Sequence, residues 1–249
     1  MGMQLTILGS GDAAGIPRPD CTDPNCACAR ARLGTGPRRA NTCALIEAGA
    51  ARIAIDTGCG QQDCTALLLT HYHSDHADRR AEFPVRAWGP ADGVGRGNCG
   101  HGDSERFPKP ERVRRVKPFA TVRIGAALCT ALPLNHPVPV NGWVIEAEGR
   151  RLAWLTDSYG IPASSLAWLA AHPCDVLCLD TTFAPGVARA PLKGHGEVGT
   201  SLAAIAASGA AKALLIHIGH GLQNWLDAGG EFQLPTHVSV AEDGVTFVL

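Results

Sequence analysis

The chain has 249 residues, enough for a sizeable buried core in one large domain or two small ones. With 45% hydrophobic and 18% charged residues it does not have a disordered composition, and a formal net charge of -1 supplies no global basic field for non-specific nucleic-acid binding. No run approaches the roughly 18 apolar residues of a membrane span. The first residues lack the basic start of a secretory signal, and ten cysteines in a chain of this length point to metal ligation or burial rather than disulfides, so a cytoplasmic protein is expected.

Gln4–Leu8 alternates like a strand and runs into the turn-rich segment GSGDAAGIPRPD, followed by a cysteine-dense loop near 21–28. Thr42–Ala48 and Arg52–Asp56 read as a hairpin, and Ala66–Leu69 as a short buried strand. Residues 89–112, rich in Gly, Pro and charge, read as an excursion. Strands are then expected at Thr121–Ile124, Ala127–Leu132, Gly142–Glu148, Leu152–Leu155, Val176–Leu179 and Ala213–Ile216, and helices from Pro162 to Ala171 and from Glu197 to Ala207. Paired strands first and strand–helix alternation later, with a polar cluster after each strand end, predict a layered α/β sandwich with one site at its rim.

The chemistry concentrates in Thr70-His71-Tyr72-His73-Ser74-Asp75-His76, directly after an apolar strand. His71 and His73 point together only on extended backbone, and Asp75 and His76 must turn to face a second point nearby. Imidazoles with carboxylates suit Zn, Mn or Fe, and two adjacent ligand groups suit two ions about 3.5–4 Å apart. A second signal is Cys21-x4-Cys26-x-Cys28, thiolates on a loop too polar to be a buried run, which suggests a zinc site needing a fourth ligand. Asp56, at a strand end, either orients a metal ligand or forms a turn. Arg79, Arg80, Arg189 and Lys193 are candidates for an anionic group of a substrate. His101, His172 and His237 have no ligand-like context, and Cys59 and Cys64 have no evident partner.

THYHSDH resembles the HxHxDH motif of the metallo-β-lactamase superfamily. GSGDAAG (9–15), AIDTG (54–58), PLNH (133–136), WLTDS (154–158) and LIHIGH (215–220) match that family in order. The resemblance implies one domain over 1–249 with a four-layer αββα sandwich. Within the superfamily the chain is most similar to phosphodiesterases of the bacterial carbon–phosphorus lyase pathway, on CARAR (28–32), the GHG of 194–196, and HIGH followed by Trp225-Leu226. That resemblance implies hydrolysis of 5-phospho-α-D-ribosyl 1,2-cyclic phosphate to ribose 1,5-bisphosphate in phosphonate catabolism. It also implies two catalytic divalent ions (Mn or Zn). His71, His73 and His136 would hold one ion; Asp75, His76 and His217 would hold the other; Asp157 would bridge them. Asp75 and His195 are the implied catalytic residues, His195 as proton donor. The family pattern supplies His220 as fourth ligand of a structural zinc with Cys21, Cys26 and Cys28, although its thiol spacing is nearer C-x-C-x-x-C, which makes Cys26 the ligand to check. The expected partner is a small phosphorylated sugar, with a homodimer implied and neither membrane nor stable nucleic-acid binding. Two alternatives share the superfamily: a tRNA 3′-processing-type endonuclease and a pyrroloquinoline quinone biosynthesis protein. The fold by itself selects none of them.

Overall fold

The structure is a computed structural model that describes residues 2–59, 63–79, 83, 85–91, 113–187 and 194–249. Arg80, His101, Arg189, Lys193 and the 92–112 part of the expected excursion lie outside the described residues.

Two seven-stranded sheets face each other. In the first, β1 (Gln4–Gly9) lies between β14 (Thr246–Val248) and β2 (Cys43–Ala48), which continues to β3 (Ala51–Ile55); these pair antiparallel. From β3 outward, β4 (Ala66–Leu68), β5 (Arg86–Pro90) and β6 (Val113–Val116) add in parallel. The second sheet repeats the arrangement. β7 (Thr121–Ile124), β8 (Ala127–Pro133), β9 (Asn141–Ala147) and β10 (Arg150–Leu155) run antiparallel. β11 (Val176–Asp180), β12 (Lys212–Ile216) and β13 (Val238–Val240) continue from β10 in parallel.

The alternation of the strands explains the layers. Ile53, Ile55 and Leu68 of the first sheet share one buried cluster with Trp143, Ile145, Leu152 and Trp154 of the second, while Ala54 and Leu67, one residue out of phase, join a different cluster on the outer face. Trp143 and Trp154 are fully buried, and truncating either to alanine is expected to cost about 3–5 kcal/mol. Helices α3 (Ala163–Ala171), α4 (Val198–Ser208) and α5 (His220–Asp227) bury Leu169, Ile205 and Leu222 against the outer face of the second sheet; the short α2 (Ser74–Ala77) packs Ala77 on the first. The result is the α/β metallo-β-lactamase-type sandwich expected from the sequence. No helix of the described residues is long and apolar enough to cross a membrane. The apolar run after Leu202 is divided between α4 and β12, separated by Gly209 in the left-handed conformation that ends the helix.

Three differences from the sequence reading stand out. Gly89 and Pro90, placed in the excursion, end strand β5. A short helix α1 (Ala27–Arg32) forms inside the cysteine loop. The C-terminus returns to pair with β1, Gln4 opposite Val248, a contact between chain ends that no local pattern announces.

Candidate metal centre

The site lies where parallel strands of both sheets end, the usual location of ligand sites in open α/β sheets. β3 delivers Asp56 and β4 delivers Thr70 to His76; β10, β11 and β12 deliver Asp157, Asp180 and His217; the connection from β8 to β9 delivers His136. Asp56, Asp157 and His217 adopt φ of 58°, 58° and 62°. Left-handed backbone is uncommon for non-glycine residues and typically gathers at functional sites.

Asp157 is the hub. His71 Nε2 and His136 Nε2 lie 3.4 and 3.8 Å from its Oδ2, while His76 Nε2 and His217 Nε2 lie 3.2 and 3.4 Å from its Oδ1. Each carboxylate oxygen thus faces one of the two imidazole groups. His73 completes the first group, its Nδ1 3.3 Å from His136 Nε2. Asp75 completes the second, its Oδ2 3.0 Å from His76 Nε2 and 3.9 Å from His217 Nε2. Ligand-type atoms of His71, His73, His136 and Asp157, and those of Asp75, His76, Asp157 and His217, lie within 4.8 Å of one another in each group.

The surrounding hydrogen bonds fix which nitrogen carries the proton. Thr70 Oγ1 donates to Asp56 Oδ2 at 2.7 Å, so its contact with His71 Nδ1 at 3.0 Å has the imidazole as donor. Thr182 Oγ1 donates to Asp180 Oδ1 at 2.8 Å and in the same way receives His217 Nδ1 at 2.8 Å. His76 Nδ1 donates to Asp56 at 2.8 Å, and His136 Nδ1 to Gly194 O at 3.0 Å. In its neutral form each of these four rings turns an Nε2 lone pair toward the centre. The Nε2 atoms of His71, His76 and His217 are buried and make no hydrogen bond. Buried acceptors without donors, converging on a carboxylate, are what a cation would satisfy, so these residues fit a pair of divalent ions.

The electrostatics divide the two groups: without a cation the first favours neutral rings, whereas the second draws in protons that a bound ion would replace. Burial disfavours a charged imidazole, and it lowers His71, His73 and His136. At His76 and His217 burial is outweighed by carboxylates, Asp157 foremost, so His76 is held well above its ordinary value and His217 is pushed up to about 10. Burial opposes the charged form of Asp75 and Asp157 as well, yet His76 leads a set of neighbours that keeps both well below the usual carboxylate range.

His195 stands beside this centre, stacked on His217 with ring centroids 4.7 Å apart and edge-on to His136 at 5.1 Å. Its Nδ1 donates to Asp180 Oδ2 at 2.7 Å, and the carboxylate raises its pKa against the opposing effect of burial. Gly194 permits the approach: a Cβ there would come within 2.8 Å of His136 Nδ1. Asp180 also accepts from Ser158 N at 3.0 Å and Gly196 N at 3.4 Å. With four donors already on it, Asp180 acts as an anchor for His195 and, through Thr182, for His217. Sequence reading missed Asp180. Its one local signal is a polar residue ending an apolar strand, the signal that singled out Asp56.

The second cluster gathers Cys21, Cys26, Cys28 and His220, whose ligand-type atoms also lie within 4.8 Å of one another. Cys26 Sγ is 3.0 Å from His220 Nδ1, and Asn224 Nδ2 lies 3.5 Å from the same sulfur. Burial works against its thiolate, but the Cys28 backbone and the bond to His220 prevail and lower it to about 6, whereas burial pushes Cys28 up to about 11. Despite its spacing, Cys26 sits at the heart of the cluster. Of the remaining sequence candidates, Arg79 is exposed at a cavity of about 260 Å³ that also reaches Asp75, and His172 stacks on Trp168 at the surface.

A sandwich of two mixed sheets carrying a His/Asp cluster of the dinuclear type at its strand ends defines a metallo-β-lactamase-fold protein. The chain belongs to the beta-lactamase superfamily, whose domain model matches residues 51–218. Among solved structures, a diphosphatase from the PhnP family is similar over 99% of this chain and 98% of its own, at 22% identity and a TM-score of 0.74. Zinc-bound PqqB from Methylobacterium extorquens is similar over 99% and 100%, at 18% identity and 0.76. Human tRNase Z, short form, is similar over 98% of both chains, at 17% and 0.65. At these identities the likeness speaks for the fold. No curated protein matches by sequence.

Proposed function

We propose that the chain is a metal-dependent phosphodiesterase that opens 5-phospho-α-D-ribosyl 1,2-cyclic phosphate to ribose 1,5-bisphosphate. The broader part, a metal-dependent hydrolase of the metallo-β-lactamase fold, rests on the family and on the His/Asp cluster. Two divalent ions, when bound, would supply an activated water and neutralise charge on phosphoryl oxygens. His71, His73 and His136 would hold one, Asp75, His76 and His217 the other, with Asp157 between them.

The observation that carries the finer part is the His195–Asp180 pair. A sugar alkoxide is a poor leaving group and needs a proton as it departs. Asp180 holds His195 Nδ1 at 2.7 Å and raises its affinity for a second proton, which leaves Nε2–H as the donor, beside His136 and His217. Asp56 and Thr182 keep the ligand imidazoles in their metal-binding tautomers throughout. The reading also carries a small phosphorylated sugar as substrate and zinc as the ion of the Cys21, Cys26, Cys28 and His220 cluster.

A second reading, cleavage of a diphosphate, is favoured by the similarity to a diphosphatase from the PhnP family. Incubation of the metal-loaded protein with the cyclic ribose phosphate, a sugar diphosphate and a tRNA precursor separates the readings, with products identified by phosphorus NMR. Ribose 1,5-bisphosphate from the cyclic compound supports the proposal. Turnover of the diphosphate or the tRNA precursor alone refutes it.

A further inference from the structure

Away from both clusters, two thiols meet beneath the loop that supports the metal centre. Cys43 opens β2 and is 1% exposed; Cys59 lies three residues after Asp56 and is half-buried. The register of β1 and β2 sets Cys43 opposite Gly9, with an irregularity between Ile7 and Gly9. A Cβ on Gly9 would fall 2.9 Å from Cys59 Sγ, so the Cys59 thiol fills the space over Gly9, next to Cys43. Gly58 lets the loop close onto the strand: its missing Cβ would lie 2.8 Å from Asn41 O. Cys59 Sγ donates to Asn41 O at 3.7 Å. Burial, reinforced by Cys59, holds the Cys43 thiol well above its ordinary value. Cys43 in turn lowers Cys59, with burial and Asp243 opposing and Arg79 assisting. The other described cysteines outside the metal-type cluster differ. Cys129 and Cys174 are buried and pushed up to about 12, and burial raises Cys178 and Cys64 as well.

We infer that Cys43 and Cys59 form a redox-active dithiol, with Cys59 the attacking sulfur and Cys43 the resolving one, oxidised by low-molecular-weight disulfides. The steps balance without any other reactant. The Cys59 thiolate attacks one sulfur of the external disulfide, forming a mixed disulfide and expelling one thiolate. The Cys43 thiol then gives up its proton and attacks Cys59 Sγ, closing the internal disulfide and expelling the second thiolate. Two electrons pass to the external disulfide, which leaves as two thiols once protonated. Closure shortens the sulfur–sulfur contact to about 2.05 Å. The segment drawn in carries Asp56, which holds His76, and Thr57, whose N–H and Oγ1 both donate to His76 O at 2.8 and 2.9 Å.

The test uses the metal-loaded full chain treated with oxidised glutathione, followed by alkylation of the remaining thiols, digestion and peptide mass mapping. The expected result is a Cys43–Cys59 cross-linked peptide, lost on dithiothreitol treatment. In C43S, glutathione should remain attached to Cys59, and C59S should give neither product. The inference is overturned if Cys43 and Cys59 of the wild-type chain are recovered alkylated while Cys64 is modified. A stable glutathione adduct on Cys59 of the wild-type chain, with Cys43 free, also overturns it. Because the wild-type map alone decides, poor folding of C43S leaves the result readable.

Discussion

The two ligand clusters are built in opposite ways. The His/Asp centre draws on strand ends of both sheets, and four of its imidazoles have their Nδ1–H bound by Thr70, Asp56, Gly194 and Thr182. Its geometry is therefore set by the folded sandwich before any ion arrives. The Cys/His cluster takes three sulfurs from one loop and a short helix, and its fourth member from the start of α5. Its neighbours are a small satellite of Ile16, Ala27 and Ala31, so an ion there would be a main source of cohesion. Losing metal should leave the first centre folded and inactive, and the second locally unfolded. His217 and His220 tie them together across two residues, with Ile218 N–H bonded to Ser10 O and Gly219 N–H to Thr182 O.

The largest effect is expected at the residue that both imidazole groups share. Asp157→Ala should lose at least one ion and reduce turnover by more than the ~10⁴-fold upper range of a single general acid. Metal content and rate measured on one sample check this; retention of both ions and most activity would reduce Asp157 to a turn residue. Next comes His195→Ala, expected to cost about 10²–10⁴-fold on the cyclic ribose phosphate and far less on a nitrophenyl phosphodiester, whose leaving group needs no proton. Equal losses on both substrates would move His195 from proton donation to phosphate binding. Asp180→Asn should follow the same substrate pattern more weakly, with metal content as the control, because Asp180 also supports His217 through Thr182.

Smaller again is Asp56→Asn, which weakens the acceptor behind His76 without touching the centre. Substitutions of such partners typically cost 10–100-fold in metal affinity or activity, and a metal titration would read it. Smallest in turnover and plainest in stability is Cys21→Ser combined with Cys28→Ser. An ion held at a thousand times its dissociation constant contributes about 4 kcal/mol, so Tm should fall while both His/Asp ions remain. An unchanged Tm would show that the sulfur cluster holds no ion that matters to folding.

What could be read from sequence follows the same division. His71, His73, Asp75 and His76 sit within six residues, so their convergence is a local matter of an extended strand end and one turn. His136, Asp157 and His217 were legible as polar residues at ends of apolar runs arranged in family order. Asp180 was not, because its meaning lies in donors 22, 16, 15 and 2 residues away, at Ser158, Gly196, His195 and Thr182. Asp56 admits two readings from sequence, and only the bond from His76 Nδ1, across 20 residues, makes it the residue that orients that imidazole. The pairing of β14 with β1 was hidden for the same reason.

On this reading the chain carries two kinds of metal centre, a paired site hung on Asp157 and a single thiolate site. The decisive measurement is anomalous diffraction from crystals of protein purified without chelator. Two peaks are expected in contact with Asp157, one beside His71, His73 and His136 and one beside Asp75, His76 and His217, and a third among Cys21, Cys26, Cys28 and His220. A single peak at the His/Asp centre, or none among the thiols of protein that retains its catalytic ions, would contradict it.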